Sequence, residues 1–238
     1  MITGVSRGLG ESLAFVLLQR GWQVVGLGRA SAARLHGARY RFVETDLADV
    51  SAIDAALAVP FAKLAEAQRG AVCLVNNAAV AGPVGIAGTL DATEVAHALA
   101  VNLAAPAVLA NLFCRFFGSL ARDRRIVNVS SGAAQSVLPG SATYCAAKAG
   151  LEMLTRTLAA EQGADGIRVV TLRPGIIDTG MQAFMRSQSD AVLPTVEMFR
   201  RFHAQGQLVA PDVAAAKIVD RIIIGPVEQG RQYSYAEL

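Results

Sequence analysis

Short apolar stretches alternate along the chain with longer segments that carry apolar residues at helical spacing. The short stretches predict β-strands at 22–28, 40–44, 72–76, 125–130, 167–172 and near 231–235. The longer segments predict helices at 9–20, 51–68, 91–119, 143–163 and 211–224. This regular alternation is typical of the α/β class, in which a doubly wound parallel sheet is flanked by helices on both faces.

The stretch 176–210 interrupts the alternation. It is rich in Met, Phe, Gln and Ser and follows Pro174-Gly175. Because ligands bind at the carboxyl ends of the strands in such sheets, we predict that the stretch forms a mobile substrate lid over those ends. A plain pair of surface helices is the alternative. We predict one domain over 1–238, with this segment as its insertion.

The composition predicts a large buried core, since 53% of the 238 residues are hydrophobic and 17% are charged. The net charge is +3, and the basic residues are dispersed apart from Arg122-Asp123-Arg124-Arg125. We interpret that cluster as a solvated loop and expect no nucleic-acid partner. No apolar run reaches the roughly 18 residues of a membrane helix, and no signal peptide precedes residue 3, so we expect no membrane partner.

The cysteines and histidines indicate neither a disulfide framework nor a metal site. The cysteines are scattered, and none has metal-ligand spacing: Cys73, Cys114 and Cys145. The histidines are isolated: His36, His97 and His203. We therefore expect a reducing, cytoplasmic location, no bound metal and no histidine-based triad.

A glycine-rich turn opens the chain at Thr3-Gly4-Val5-Ser6-Arg7-Gly8-Leu9-Gly10. Such a turn between a strand and a helix lets the backbone and the helix N-terminus approach a pyrophosphate, as in a Rossmann-type dinucleotide site. The glycines are spaced more widely than in the usual fingerprint, and an ordinary glycine turn is the alternative. Because only Met1 and Ile2 precede the motif, either the natural start lies upstream or the sheet tolerates a short central strand.

The end of the second predicted strand bears on the choice of cofactor. An NAD-preferring site commonly has an acidic residue there, whereas this chain has Gly28 followed by Arg29. With Arg7 in the glycine turn, two guanidinium groups suit a 2′-phosphate. The sequence predicts NADP(H) rather than NAD(H), and two solvated surface arginines are the alternative.

Three polar residues further along the chain suit proton transfer at a carbonyl or alcohol. Lys148 lies four residues after Tyr144, so both share one helix face. Its charge, together with that of an oxidised nicotinamide, is expected to lower the phenol pKa from about 10. Ser131 ends a predicted strand, where it can hydrogen-bond a substrate oxygen; the neighbouring Ser130 is the alternative. Tyr144 is the predicted general acid.

With these motifs the chain resembles the short-chain dehydrogenase/reductase family over nearly its whole length. Beyond the residues above, the resemblance rests on Asp46-Leu47, Asn76-Asn77-Ala78-Ala79, Asn102, Tyr144-Cys145-Ala146-Ala147-Lys148, and Pro174-Gly175 with Thr179 and Met181. Ala79 stands where the family usually has Gly. Segments 77–85, 101–106 and 174–182 resemble the branch that contains sepiapterin reductase and benzil reductase.

The resemblance implies a role for each matching residue. The implied catalytic residues are Asn102, which would anchor a relay water, Ser131, Tyr144 and Lys148, which would also hold the nicotinamide ribose. Asp46 would contact the adenine amino group. The implied cofactor-binding residues are Gly4, Ser6, Arg7, Gly8, Leu9, Gly10, Arg29, Asp46, Leu47, Asn77, Ala78, Ala79, Tyr144, Lys148, Pro174, Gly175, Ile177, Thr179 and Met181. Pairing of the long helices across a two-fold axis would give a homodimer or homotetramer.

The activity that we predict is an NADPH-dependent carbonyl reductase for a small ketone or dicarbonyl. The lid offers apolar side chains that suit a compact apolar or aromatic substrate: Met181, Phe184, Met185, Leu193, Met198 and Phe199. Those side chains could equally be core residues, and pterin-like substrates fit as well. The alternatives are a 3-oxoacyl carrier-protein reductase, a sugar or steroid alcohol dehydrogenase, and a non-catalytic NADP(H)-binding regulator.

Overall fold

Seven strands form one parallel sheet in the computed structural model, which describes residues 1–67, 70–119 and 123–238. The strands are β1 (Ile2–Thr3), β2 (Val24–Gly28), β3 (Tyr40–Glu44), β4 (Val72–Asn76), β5 (Arg124–Val129), β6 (Arg168–Arg173) and β7 (Gln232–Ser234). Their order across the sheet is β3-β2-β1-β4-β5-β6-β7, so the direction of winding reverses between β1 and β4. This confirms the predicted doubly wound sheet, and ligands bind at such a switch point.

Helices cover both faces of the sheet, as predicted. They are α1 (Gly8–Gln19), α2 (Val50–Ala67), α3 (Ala92–Leu99), α4 (Ala105–Phe117), α5 (Ala142–Gln162), α6 (Gly180–Arg186), α7 (Val196–Ala204) and α8 (Pro211–Ile218). Buried residues of α1 and α8 form the core on one face, and those of α2 and α4 form it on the other. The predicted end of the second helix at residue 68 lies outside the described residues.

The predicted helix 91–119 is not continuous, because a π-helical turn (Ala100–Ala104) separates α3 from α4. Pro106 explains the break: it has no N–H to donate, and its ring crowds the carbonyl group four residues earlier, at Asn102. The wider turn relieves this conflict within an otherwise helical segment. A second π-helical segment (Val219–Ile224) follows α8.

The segment Ala92–Phe117 is long enough and apolar enough to cross a bilayer by length and composition, with a mean hydropathy of 1.6. This corrects the expectation that no segment of the chain would meet that criterion. In the structure Leu109, Leu112 and Phe113 are fully buried in the core on one face of the sheet. A core helix has the same composition as a membrane helix, so packing in the fold accounts for these apolar residues.

Strand β1 is as short as the sequence predicts. Its two residues pair with Gly26 and Leu27 of β2, and Ile2 pairs with Val75 of β4. The Met1 ammonium donates to the Cys73 carbonyl at 2.8 Å, and burial lowers its pKa. Beyond Met1, a cleft of about 410 Å³ separates the amino-terminal halves of β2 and β4.

The basic cluster at 122–125 is not the solvated loop that we predicted. Arg122 lies outside the described residues, but Arg125 is only 3% exposed. Its Nη1 donates to the carbonyl oxygens of Ile222 and Ile223, at 2.5 and 3.1 Å, and its Nη2 bonds Asp123. The prediction is wrong for Arg125 because the carbonyl groups at the end of the second π-helical segment need donors, which this guanidinium supplies.

Candidate active site

The glycine turn at the carboxyl end of β1 forms a cradle of backbone groups. Gly4 and Gly8 adopt the left-handed conformation, with φ of 73° and 63°. A Cβ on Gly10 would lie only 2.3 Å from the Gly4 carbonyl oxygen, so this position accepts only glycine. The N-cap residue of α1, Arg7, makes no side-chain capping bond. The first N–H groups of α1 therefore lack a side-chain cap from Arg7, and their geometry fits a pyrophosphate.

Neighbouring strand ends hold this turn in place. The Thr3 hydroxyl oxygen accepts hydrogen bonds from the N–H groups of Asn77 and Ala78, both at 2.9 Å. The Asn77 side chain donates to the Thr3 carbonyl oxygen at 2.9 Å. Thr179 also meets the turn, because a Cβ on Gly8 would lie 3.2 Å from its methyl group. The structure thus brings together three segments that the sequence assigns to the cofactor.

Three apolar residues predicted to bind the cofactor turn their side chains into the protein. Leu9 and Ile177 are 8% and 6% exposed and belong to the hydrophobic core on one face of the sheet, and Leu47 is 6% exposed and belongs to the core on the other face. They could therefore contact a cofactor mainly through their backbones. Asp46 is exposed, and one of its carboxylate oxygens accepts from the Ala48 N–H at 2.9 Å.

Exposed arginines follow the adjacent strands β1 and β2. Within the described residues, neither Arg7 nor Arg29 forms an ion pair, so both guanidinium groups can receive an anion. Arg34, by contrast, is bound to Glu11 and Asp212 at 2.7 and 2.9 Å. Gly28 ends β2 with φ of 156°, which disfavours the acidic side chain of an NAD site.

Ser131, Tyr144 and Lys148 lie together at the carboxyl end of β5. The Lys148 Nζ donates to the Val129 carbonyl oxygen at 2.8 Å and lies 5.7 Å from the centre of the Tyr144 ring. Tyr144 is in the first turn of α5, and its hydroxyl is 4.0 Å from the sulfur of Met181. The predicted proton-transfer residues therefore share one site beside the glycine turn.

Burial moves the pKa values of the tyrosine and the lysine in opposite directions. It raises the pKa of Tyr144 to about 12, although a hydrogen bond from Ser131 acts against this rise. It lowers the pKa of Lys148 to about 8. In the chain without cofactor, desolvation of the phenolate dominates and the Lys148 ammonium is directed at Val129. The lowering of the Tyr144 pKa by Lys148 together with an oxidised nicotinamide stays a prediction.

The structure distinguishes the two adjacent serines. The Ser130 hydroxyl donates to the Glu152 carboxylate at 2.7 Å and is buried. Ser131 is partly exposed, and its hydroxyl oxygen accepts from the Ala133 N–H at 3.2 Å, which leaves its proton free to bond either Tyr144 or a substrate oxygen. These contacts favour Ser131 over Ser130 as a group that meets a substrate.

Asn102 is fully buried in the π-helical turn between α3 and α4. Its side-chain oxygen accepts from the Val80 N–H and its amide donates to the Val80 carbonyl, both at 2.8 Å. These bonds fix the loop after β4 and satisfy the side-chain amide of Asn102. A role for Asn102 in a water relay stays a prediction.

The segment that we predicted as a lid forms α6 and α7 and has a small core of its own. Met185, Leu193 and Phe199 are buried in that core, and Ala81 and Val84 of the loop after β4 pack against it. These three residues are therefore structural, as the alternative held. Met181 faces Tyr144, and Phe184 remains 41% exposed. Movement of the segment stays a prediction.

The sequence interpretation missed two buried polar networks. Asn76 donates to Asn128 at 2.8 Å, and Asn128 donates to Thr155 of α5 at 2.9 Å. Glu152 and Arg173 form a second network, with Oε2 and Nη2 at 2.8 Å. One signal was available: Glu152 lies four and eight residues after Lys148 and Tyr144, on the same helix face, where a buried carboxylate needs a cation.

A doubly wound parallel sheet with a glycine turn at its switch point, and a Tyr–Lys pair beside that turn, defines an α/β oxidoreductase of the dinucleotide-binding type. The chain belongs to the short-chain dehydrogenase/reductase family, because the family model described as short chain dehydrogenase matches residues 1–190. It is therefore an oxidoreductase of this family, as its sequence predicts.

Relatives and solved structures agree with this assignment. The chain is 32% identical to benzil reductase ((S)-benzoin forming) of Bacillus subtilis (strain 168), with 100% of this chain and 98% of the relative covered. It is 32% identical to sepiapterin reductase of Xenopus tropicalis, with 92% and 89% covered. The predicted resemblance to this branch is confirmed.

Among solved structures, the KRED1-Pglu enzyme superposes with a TM-score of 0.83 at 27% identity, covering 98% of each chain. A short chain dehydrogenase from Burkholderia cenocepacia J2315 in complex with NADP gives 0.76 at 28% identity, with 98% of this chain and 94% of that chain covered. The 3-ketoacyl-(acyl-carrier-protein) reductase from Brucella melitensis complexed with NADH gives 0.77 at 26% identity, with the same coverage.

Proposed function

We propose that this protein is an NADPH-dependent carbonyl reductase acting on small apolar ketones or 1,2-dicarbonyls, with Tyr144 as the proton donor. The observation that carries the proposal is the Tyr144 hydroxyl, which lies with Ser131 and Lys148 at the carboxyl end of β5. Burial raises the pKa of Tyr144, so the phenol is protonated at neutral pH and has a proton to donate in the reducing direction.

Each side chain has a separate task in the proposed reaction. Bound NADPH supplies the hydride that reduces the carbonyl carbon. The Ser131 hydroxyl donates a hydrogen bond to the carbonyl oxygen, where negative charge grows. Tyr144 gives its proton to that oxygen, and the nearby Lys148 ammonium stabilises the phenolate that remains. The product is an alcohol, and Tyr144 is reprotonated from solvent.

The glycine turn and the free arginines support NADPH as the cofactor. The uncapped N–H groups of α1 suit the pyrophosphate, and Arg7 and Arg29 suit the 2′-phosphate. A relative of similar structure binds NADP, and another binds NADH, so the family alone does not decide the preference. The proposal rests on the absence of an acidic residue at Gly28 and on the two arginines.

Apolar side chains near the Tyr144 hydroxyl support the proposed substrate class. Met181 lies 4.0 Å from the Tyr144 hydroxyl, and Phe184 is exposed in the same helix as Met181. A Cβ built on Gly82 would lie 4.0 Å from the Phe184 ring. Met and Phe adapt to flat apolar groups. Benzil, the substrate in the name of the Bacillus subtilis relative, has two such groups beside adjacent carbonyls.

The test is loss of NADPH absorbance with a panel of benzil, sepiapterin, an acetoacetyl thioester and simple aryl ketones, with NADH in parallel. Tyr144→Phe should lower kcat by about 10²–10⁴-fold and leave NADPH binding intact. Tyr233→Phe is the matched control, because Tyr233 lies in β7 at the edge of the sheet. Its hydroxyl accepts a hydrogen bond from the Glu228 N–H. Equal loss in both variants would remove Tyr144 from the role of acid.

The other candidates are outcomes of the same panel. Preferred turnover of the thioester would indicate a 3-oxoacyl carrier-protein reductase, and preferred turnover of sepiapterin would indicate a pterin substrate. Tight NADPH binding without turnover of any carbonyl would favour a non-catalytic regulator.

We also propose a homo-oligomer in a reducing compartment. Met153 of α5 is 54% exposed, and Leu99 of α3 is exposed as well, which supports a helical interface. Three free cysteines support the compartment: Cys73, Cys114 and Cys145. Light scattering measures the oligomeric state, and a monomeric mass would contradict the first of these proposals.

A further inference from the structure

A buried ion pair lies behind the candidate active site. Glu152 is in α5, one turn after Lys148. Its two carboxylate oxygens accept from Nε and Nη2 of Arg173, each at 2.8 Å. The side chains are only 9% and 16% exposed. A bidentate pair of two planar groups fixes the orientation of both partners, which a contact with a lysine would not do.

This pair is connected to the strand end that carries Ser131. The Ser130 hydroxyl donates to Oε1 of Glu152 at 2.7 Å, and Ser130 immediately precedes Ser131. Nη1 of Arg173 donates to Oε1 of Gln135 at 2.8 Å, and Gln135 ends the short turn that follows Ser131. The pair is therefore bonded to the chain on both sides of Ser131, at Ser130 and at Gln135.

The same pair links two further segments of the site. Glu152 belongs to α5, the helix that carries Tyr144 and Lys148. Arg173 is the last residue of β6, directly before the segment 174–179 that reaches the glycine turn through Thr179. Among the described residues, Glu152 and Arg173 bond each other, Ser130 and Gln135, and neither bonds the hydroxyl of Tyr144. Their place in the fold is between the three segments, not among the reacting groups.

We propose that the Glu152–Arg173 pair consists of positioning residues that set Ser131 against Tyr144 and hold the segment 174–179 at the cofactor site. The proposal rests on the proposed function, since the alignment of Ser131 and Tyr144 matters to a rate only if they act on a carbonyl. Misplacement of a reacting group by about 1 Å can lower a rate about 100-fold. Stability alone is a weak reason for such a pair, because apolar residues of similar volume often replace buried ion pairs without loss.

The test compares the effect of the pair on the rate with its effect on stability. Glu152→Gln leaves a buried guanidinium without its carboxylate and should lower both Tm and kcat. The double variant Glu152→Met/Arg173→Met removes both charges of the pair, so Tm should recover most of the way to the wild-type value. At saturating NADPH its kcat should nevertheless stay about 10–100-fold below wild type, and the Kd of NADPH should rise because the segment 174–179 is no longer held. Recovery of both Tm and kcat would overturn the proposal.

Arg125 provides a matched control on the same sheet. It is a buried arginine at the opposite, amino-terminal end of β5, where it binds the carbonyl groups of Ile222 and Ile223. Arg125→Met should lower Tm but leave kcat within about twofold of wild type at temperatures where the protein is folded. This variant separates a loss of position from a general loss of stability.

Hydrogen exchange of the protein alone gives a readout that needs no turnover. In the double variant, amides in 130–136 and 173–179 should exchange at least about tenfold faster than in wild type, while 24–44 should be unchanged. If wild type reduces no carbonyl, the proposed function fails and the exchange rates still decide the positioning role. Unchanged exchange in both segments would overturn it.

Discussion

Replacing Lys148 by Met is expected to stabilise the fold at neutral pH while it destroys the site. Lys148 is buried, and its ammonium donates a hydrogen bond to the Val129 carbonyl oxygen. The fall of its pKa from 10.5 to about 8 corresponds to roughly 3 kcal/mol of penalty for holding the charge in the folded state. Removal of the ammonium leaves the Val129 oxygen without that donor, which costs about 1–2 kcal/mol. The expected net gain at pH 7 is therefore about 1–2 kcal/mol.

The sign of the pH dependence follows from the direction of the shift. Because the pKa is lower in the folded protein than in the unfolded chain, the penalty is fully present below about pH 8. It decreases as the pH rises from about 8 towards 10.5, where the unfolded chain also loses the proton. The stability advantage of Lys148→Met should therefore shrink over this window and disappear or reverse above it.

Urea unfolding of both proteins at a series of pH values measures this difference. At pH 7 the variant should also melt about 2–8 °C higher, since 1 kcal/mol corresponds to about 2–4 °C for a chain of this size. Lys63→Met is the control, because Lys63 is exposed on α2 and its replacement should change stability by less than about 0.5 kcal/mol. A destabilised Lys148→Met, or a difference independent of pH, would refute the reasoning.

Three further changes test other parts of the structure. Gly10→Ala places a Cβ 2.3 Å from the Gly4 carbonyl, so fluorescence titration should show NADPH binding weakened at least about tenfold; unchanged binding would contradict the cradle. Arg29→Asp should raise the Kd of NADPH at least about tenfold and improve that of NADH, and an unchanged ratio of the two would leave Arg29 as a surface residue. An apolar tetrapeptide added before Met1 should extend β1 into the cleft of about 410 Å³ and move the buried ammonium to solvent, raising Tm by about 5 °C; an equal or lower Tm would argue against that placement.

The parts of the fold that the sequence predicted well depend on local patterns. Strands and helices alternate with the periods of their apolar residues, and the glycine turn requires glycine for steric reasons that act within a few residues. The Tyr144–Lys148 spacing likewise places both side chains on one helix face wherever that helix packs. These features could be predicted because none of them depends on which distant segment arrives as a neighbour.

The features that the sequence did not predict depend on distant partners. Arg125 is buried because carbonyl groups 97 and 98 residues further along the chain lie beside it, at Ile222 and Ile223. The Tyr144 pKa rises because the fold buries the phenol, whereas the helical spacing indicated only that Lys148 is near. Proximity can be obtained from spacing, but desolvation depends on everything that surrounds the group.

The residues that position the proposed proton donor differ from the residues that lie over it. Lys148, Glu152 and Thr155 lie on successive turns of α5. Each is bonded to β5 or β6 through a polar contact. Because strands β5 and β6 lie inside a parallel sheet, these contacts give α5 a fixed register against the rigid part of the fold. The segment 176–210 instead has its own small core and meets the proposed proton donor through Met181. Changes in that segment can therefore alter the shape offered to a substrate while the proton donor and its supports keep their positions.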